Sequence, residues 1–160
     1  MKRWYAISLS HLGDCLCNLG DFKNAESCMN QSLNLSVEVY GSHEHEDVAK
    51  ILHNLGNLVH TQEKYDEAQQ YYKESLDIYA KIYGTHEHVD VAKTLNNLEL
   101  LALDQGKCDE AQKYLEYSHA IYIYAHGSKD LPDNLMQLKL LRIMQSLVPN
   151  AQANISNSAD

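Results

Sequence analysis

Apolar residues return along this chain at intervals of three and four, the period of a helix with one buried face. From Glu46 to about Gln62 the face carries Ala49, Leu52, Leu55, Gly56 and Val59. The pattern breaks at Glu63-Lys64, which predicts a tight turn. It resumes from Tyr65 to about Tyr83 with Ala68, Tyr72, Ser75, Leu76 and Tyr79. Gly84 then supplies a helix stop, because glycine tolerates the left-handed conformation that ends helices. Asp47 and Asp90 fall in the first turn of the helices that follow the links, where a carboxylate suits the positive end of the helix dipole. Pro132 precedes Asp133 at the equivalent place and suits a first helical position, which predicts a further helix from Pro132 to about Leu147.

The pattern is a repeat. Gly41-Ser42-His43-Glu44-His45 returns as Gly84-Thr85-His86-Glu87-His88, an offset of 43 residues. At that offset Ala25, Ala68 and Ala111 align, as do Leu12, Leu55 and Leu98. Segments 47–89 and 90–132 are identical at 19 of 43 positions. The expected organisation is an all-α, right-handed solenoid of helical hairpins with about three and a half units. These are 3–45, 46–88, 89–131 and a capping helix at 132–148, with a disordered polar tail at 149–160. Each hairpin alone leaves an apolar stripe exposed, and stacking buries it. Gly13 and Gly56 on first helices, and the three aligned alanines on second helices, allow close approach. Glu99 stands at the glycine position and Cys108 at the aromatic position of Phe22 and Tyr65. The third unit is therefore expected to pack less tightly, or Glu99 to lean to an edge toward a lysine or Arg142.

Composition narrows the function. Of 160 residues, 13 are Lys or Arg and 22 are Asp or Glu, for a net charge of -9. That balance argues against a general nucleic-acid binder, which needs a basic face for phosphates, and against a polybasic membrane-surface role. No run approaches the roughly 18 apolar residues of a membrane span, and Met1-Lys2-Arg3 has no apolar segment behind it, so no signal peptide is read. Cys15, Cys17, Cys28 and Cys108 form no disulfide framework, and free thiols fit a reducing, cytoplasmic setting. No nucleophile–base pair, phosphate loop or paired-acid constellation is present, so the chain is read as a non-enzyme without a cofactor.

In the second unit Leu52, Leu55, Gly56, Val59, Tyr65, Ala68, Tyr72 and Ser75 form a pattern that resembles the tetratricopeptide repeat. The 43-residue period, with Asp47-Val48-Ala49-Lys50 and Asp90-Val91-Ala92-Lys93, resembles the kinesin light chain subclass, although the proline of its inter-repeat link is absent until Pro132. The resemblance covers residues 3–148. It implies a concave face, lined by the first helices, that receives a linear peptide of a protein partner. Some members of the family clamp a C-terminal carboxylate with Lys, Asn and Arg side chains. The matching positions here are Ser10, Asp14, Asn96 and Leu100, so that clamp is absent.

Spacing also identifies an exposed stripe, as the helical face offset from the packed one, and the resemblance implies that it lines the concave face. It comprises Ile7, Ser10, Asp14 and Cys17; Lys50, His53, Asn57 and His60; Lys93, Asn96, Leu100 and Leu103; then Met136, Lys139 and Ile143. Asn57 and Asn96 can donate to and accept from a peptide backbone. Lys50, Lys93 and Lys139 form a basic row, and Leu100 and Leu103 offer an apolar anchor. The candidate peptide-binding residues are thus Lys50, His53, Asn57, His60, Lys93, Asn96, Leu100, Leu103 and Lys139, for an acidic or polar segment with one hydrophobic anchor. The blander reading is that the leucines pack on the fourth helix and the lysines are solvated.

His43-Glu44-His45 and His86-Glu87-His88 carry metal-ligating side chains, but positions two apart in short links need not converge, and they are read as links. The chain starts almost inside its first helix, with no capping residue before Trp4. That suggests the alternative function, a structural self-associating segment of a longer array or a homo-oligomer through exposed array ends.

Overall fold

A computed structural model describes residues 1–84 and 88–125. Its described residues form six helices: α1 (Lys2–Asn18), α2 (Phe22–Tyr40), α3 (Glu46–Thr61), α4 (Tyr65–Tyr83), α5 (Val89–Asp104) and α6 (Cys108–Ala125). The expected helix at 132–148, the tail at 149–160, and with them Met136, Lys139, Arg142 and Ile143, lie outside the described residues, as do His86 and Glu87. The helices pair as three hairpins, α1 with α2, α3 with α4 and α5 with α6. Helix α2 packs on α3 and α4 on α5, and the first helices touch one another, α1 with α3 and α3 with α5.

Local chemistry sets each boundary. Within the hairpins the chain turns by one device three times. The amide N–H of Asp21, Lys64 and Lys107 donates to the carbonyl of Leu16, Val59 and Ala102, at 2.9, 3.0 and 2.8 Å. This is the six-to-one bond that closes a helix through a left-handed residue. That residue is Gly20, Glu63 or Gly106, with φ of 80°, 61° and 70°. Between hairpins Gly41 and Gly84 end α2 and α4 in the same left-handed region. The links then place His45 and His88 as caps: their Nδ1 atoms accept from the backbone N–H of Asp47 (3.1 Å) and Asp90 (3.3 Å). Each capping imidazole stacks on the last tyrosine of the preceding helix, Tyr40 at 3.4 Å and Tyr83 at 4.1 Å between ring centroids. His45 and His88 therefore open α3 and α5 as N-caps.

The core runs between the hairpins and includes Val48, Leu55, Tyr72, Tyr79, Leu98 and Ile121. Gly56 is a close-packing position: a Cβ there would lie 2.6 Å from the Tyr72 ring, and one on Gly13 would lie 2.7 Å from Met29 Cγ. The third unit departs as the sequence suggested. Glu99 is half-buried, and Leu115, which occupies the register of Met29 and Tyr72, is 48% exposed instead of buried. A side chain at position 99 fills the space that glycine leaves, and residue 115 is turned out. Ser32 and Ser75 reach across to the carbonyls of Ala6 (2.6 Å) and Ala49 (2.8 Å), whereas Ser118 bonds its own helix at Leu115 O (3.0 Å). Of the second-helix tyrosines, Tyr72, Tyr79, Tyr114 and Tyr117 are core, Tyr71 and Tyr122 are half-buried, and Tyr124 is exposed.

Candidate functional site

The first helices stand side by side in constant register, and a ladder of polar side chains fixes it. Asn54 Nδ2 on α3 donates to Asp14 Oδ2 (3.0 Å) and Ser10 Oγ (3.4 Å) on α1. One unit later Asn97 Nδ2 on α5 donates to Asn57 Oδ1 (2.6 Å) and to His53 Nε2 (3.2 Å) on α3. Asn54 and Asn97 are 43 residues apart, so the repeat reproduces the rung. Toward the other end of the helices His60 Nε2 meets Asp104 Oδ2 (2.8 Å), and Cys17 stands beside the Thr61 hydroxyl.

The second rung fixes a proton. An amide nitrogen only donates, so His53 Nε2 accepts and Nδ1 carries the hydrogen, directed at Thr94 Oγ1 (2.9 Å). The Thr94 hydroxyl donates onward to the Asp90 carbonyl (2.9 Å). Burial disfavours the imidazolium and lowers the His53 pKa to about 4, Asp90 opposing and Lys93 reinforcing the effect. Asn57 Oδ1 also accepts from the Tyr72 hydroxyl (2.8 Å). Burial also raises the Asp14 carboxyl above the usual range, with His11 opposing.

A cavity of about 290 Å³ opens across the three first helices, between the middle of α1 and the N-terminal halves of α3 and α5. Ile7, Ser10 and Asp14 of α1, Lys50, His53 and Asn54 of α3, and Asp90 and Lys93 of α5 contribute to its wall. The basic row reaches it with partners. Lys50 pairs with Glu46 and lies 3.9 Å from Asp90, and Lys93 lies 3.0 Å from Asp90. Partial burial works to lower the Lys50 pKa, but Glu46, Asp90 and Asp47 outweigh it and the net shift is upward. The groove is thus of mixed charge, with both ammonium groups half in solvent.

The nine residues expected from spacing divide by role. Lys50, His53 and Lys93 line the cavity. His53, Asn57 and His60 are half-buried in bonds between α3 and α5. Asn96 is half-buried on α5, and Leu100 and Leu103 are 52% and 49% exposed there. Lys139 is outside the described residues. Asn54 and Asn97, which lock the helices together, were not among the nine. Their signal was present as an asparagine repeated at the 43-residue offset, one position past each stripe residue.

Among the described residues no group of three His, Cys, Asp or Glu side chains is placed to hold a metal, and no helix is long and apolar enough to cross a membrane. A family model described as tetratricopeptide repeat matches the chain twice, over residues 4–81 and 47–123. The two matches begin one 43-residue unit apart. A search of curated proteins gives no match.

Proposed function

The chain belongs to the tetratricopeptide repeat family, whose repeats mediate protein–protein interaction, and from that premise we propose that it binds a linear segment of a partner protein along α1, α3 and α5. The observation that carries this reading is the open groove, to which three successive first helices contribute side chains. The array is read as spanning residues 3–148, of the kinesin light chain-like kind by its 43-residue unit and Asp-Val-Ala-Lys links, and as a cytoplasmic module that binds without catalysing. Lys93 and Asn96 offer an acid partner and a backbone partner on one helix face. Leu100 and Leu103 continue that face as an apolar anchor site. An acidic or polar segment with one hydrophobic side chain fits this order, held by charge-assisted bonds at one end and apolar burial at the other.

The test is capture of a peptide from a displayed library, followed by calorimetric titration. Lys93→Glu combined with Asn96→Ala is expected to weaken the captured peptide on the order of tenfold, from loss of a charge-assisted and a neutral hydrogen bond. Leu115→Asp, an exposed change on α6, is the control and is expected to leave affinity unchanged. Asn57 is a poor probe because its side chain also joins α3 to α5. Equal affinity of the double variant and the parent chain would move the site off this face. A second reading, a self-associating segment or part of a longer array, is favoured by the exposed apolar residues of α1.

A further inference from the structure

Helix α1 carries a face that the other first helices bury. In α3 the stripe Val48, Ile51, Leu55 and Leu58 is covered, and in α5 the stripe Val91, Thr94, Leu98 and Leu101 is covered; none of these eight exceeds 3% exposure. The second helix of the preceding hairpin packs on each, α2 on α3 and α4 on α5. The same register on α1 holds Tyr5, Ser8, Leu12 and Cys15. Tyr5 is 60% and Leu12 49% exposed, and Ser8 and Cys15 are exposed with them. Leu19, one heptad past Leu12, is 81% exposed, and Trp4 beside the stripe is 72% exposed. Tyr5, Leu12 and Leu19 repeat at seven residues with Ser8 and Cys15 three further on, the spacing of a seam that packs against another helix.

We infer that this face of α1 pairs antiparallel with the same face of a second copy of the chain, which deepens the self-associating reading given above. Two observations select that occupant. Between two copies of this chain, the other surface able to cover α1 by the stacking rule is the outward face of α6. There, however, exposed His119 stands where α2 and α4 place the packed residues Leu33 and Leu76. A head-to-tail stack would set a polar side chain against the seam. The α1 stripe, by contrast, is self-complementary, as an isologous contact requires. With Leu12 on the two-fold axis, Tyr5 of one copy meets Leu19 of the other, and the small Ser8 meets Cys15.

Charge agrees. Asp14 is the only Asp, Glu, Lys or Arg between Trp4 and Leu19, and it faces the groove. Lys2 and Arg3, just before the stripe, are engaged within the chain, Lys2 by Glu38 and Arg3 by Asp47, so neither sets a free charge against the seam. A 17-residue helix is about 25 Å long. A single pair of such faces is at the small end of specific interfaces, so the dimer is weak and reversible, with a Kd of roughly tens of micromolar.

Sedimentation velocity of the full chain from about 5 to 300 µM tests this, together with thiol cross-linking. The parent chain is expected to move from monomer to dimer over that range, with a blue shift of the emission of Trp4, its single tryptophan. Leu12→Glu, at a half-exposed position, is expected to shift the midpoint at least tenfold upward. Ser8→Cys is expected to give a covalent dimer under mild oxidation, and the added change Cys15→Ser to abolish it. Two cysteines seven apart on one helix lie about 10 Å from each other along its axis and cannot bridge within a chain. A monomer at every concentration overturns the inference and the self-associating reading together. A dimer that ignores Leu12→Glu and yields no Ser8→Cys cross-link overturns the α1 pairing alone and leaves self-association standing.

Discussion

Three turns of one design differ at a single residue. Gly20 and Gly106 take the left-handed conformation at no steric cost, whereas Glu63 holds φ at 61° with a full side chain. An L residue there strains its Cβ against the following carbonyl, at about 1–2 kcal/mol. The backbone bonds around Glu63 are made as in the other turns, with its N–H 2.8 Å from His60 O, and the side chain is exposed. Glu63→Gly is therefore expected to stabilise the fold by about 0.5–1 kcal/mol once the extra freedom of glycine in the unfolded chain is deducted. Thermal unfolding should register a rise in Tm of roughly 2–4 °C. A fall in Tm would mean that the Glu63 side chain contributes a contact outweighing its backbone strain.

At the scale of the helix, polar side chains do what apolar spacing cannot. The 3.6-residue period places α3 and α5 beside each other but does not fix how far one slides along the other. The rung of His53, Asn57, Thr94 and Asn97 fixes that register, and it requires a neutral imidazole. An added proton on Nε2 would face the Asn97 amide donor. The His53 pKa is lowered to about 4 from the usual 6.5. Its contribution to stability is then fully present above about pH 6.5 and is lost as pH falls toward 4. The amount is on the order of 3 kcal/mol. His53→Asn installs the residue of the third unit at this register and is expected to flatten the decline between pH 7 and 4 in urea unfolding. Asp14, whose raised pKa favours the folded state on protonation, acts in the opposite direction in both proteins and cancels in the comparison. Parallel pH curves for the two chains would contradict the role given to His53.

The same scale shows what was legible in the sequence. The bounds of α4, Tyr65–Tyr83, and the stop at Gly84 follow from apolar period and turn chemistry alone, because both are local. A local change of packing in the third unit was legible at Glu99, since a long side chain at the glycine position displaces the residue opposite, Leu115. The stripe was legible as one face of each first helix. Its division into residues that line the cavity and residues that brace α3 against α5 was not. Asn57 and His53 look available on a single helix, and become engaged only when α5 brings Asn97 and Thr94 against them. The link histidines were legible as links, but the capping role of His45 and His88 was not, because it depends on each imidazole stacking on the last tyrosine of the preceding helix, Tyr40 or Tyr83.

For the molecule as a whole, a stack of hairpins has nearest-neighbour coupling, so its stability is a sum of unit terms and interface terms. The two inner interfaces are unequal. Between α1 and α3 Asn54 bonds Asp14 and Ser10, whereas between α3 and α5 the bonds of Asn97 join a chain that includes a half-buried imidazole and a buried threonine. Asn97→Ala leaves the His53 and Asn57 acceptors without their donor, a cost of about 1–3 kcal/mol. That cost falls on the interface between the second and third hairpins. The third hairpin already lacks the close glycine packing and the cross-hairpin serine bond of the first two, so it is the unit that separates. Native-state hydrogen exchange is expected to show faster exchange throughout α5 and α6 in Asn97→Ala and unchanged exchange in α1 and α2, because the remaining interface still couples the first two hairpins. Equal acceleration in all six helices would mean that the array opens as one cooperative body, in which case the groove could not lose its α5 wall independently. With local opening instead, α5 is the adjustable side of the groove: Lys93, Asn96 and Leu100 move with it, and a ligand that bridges α3 and α5 stabilises the third hairpin as it binds.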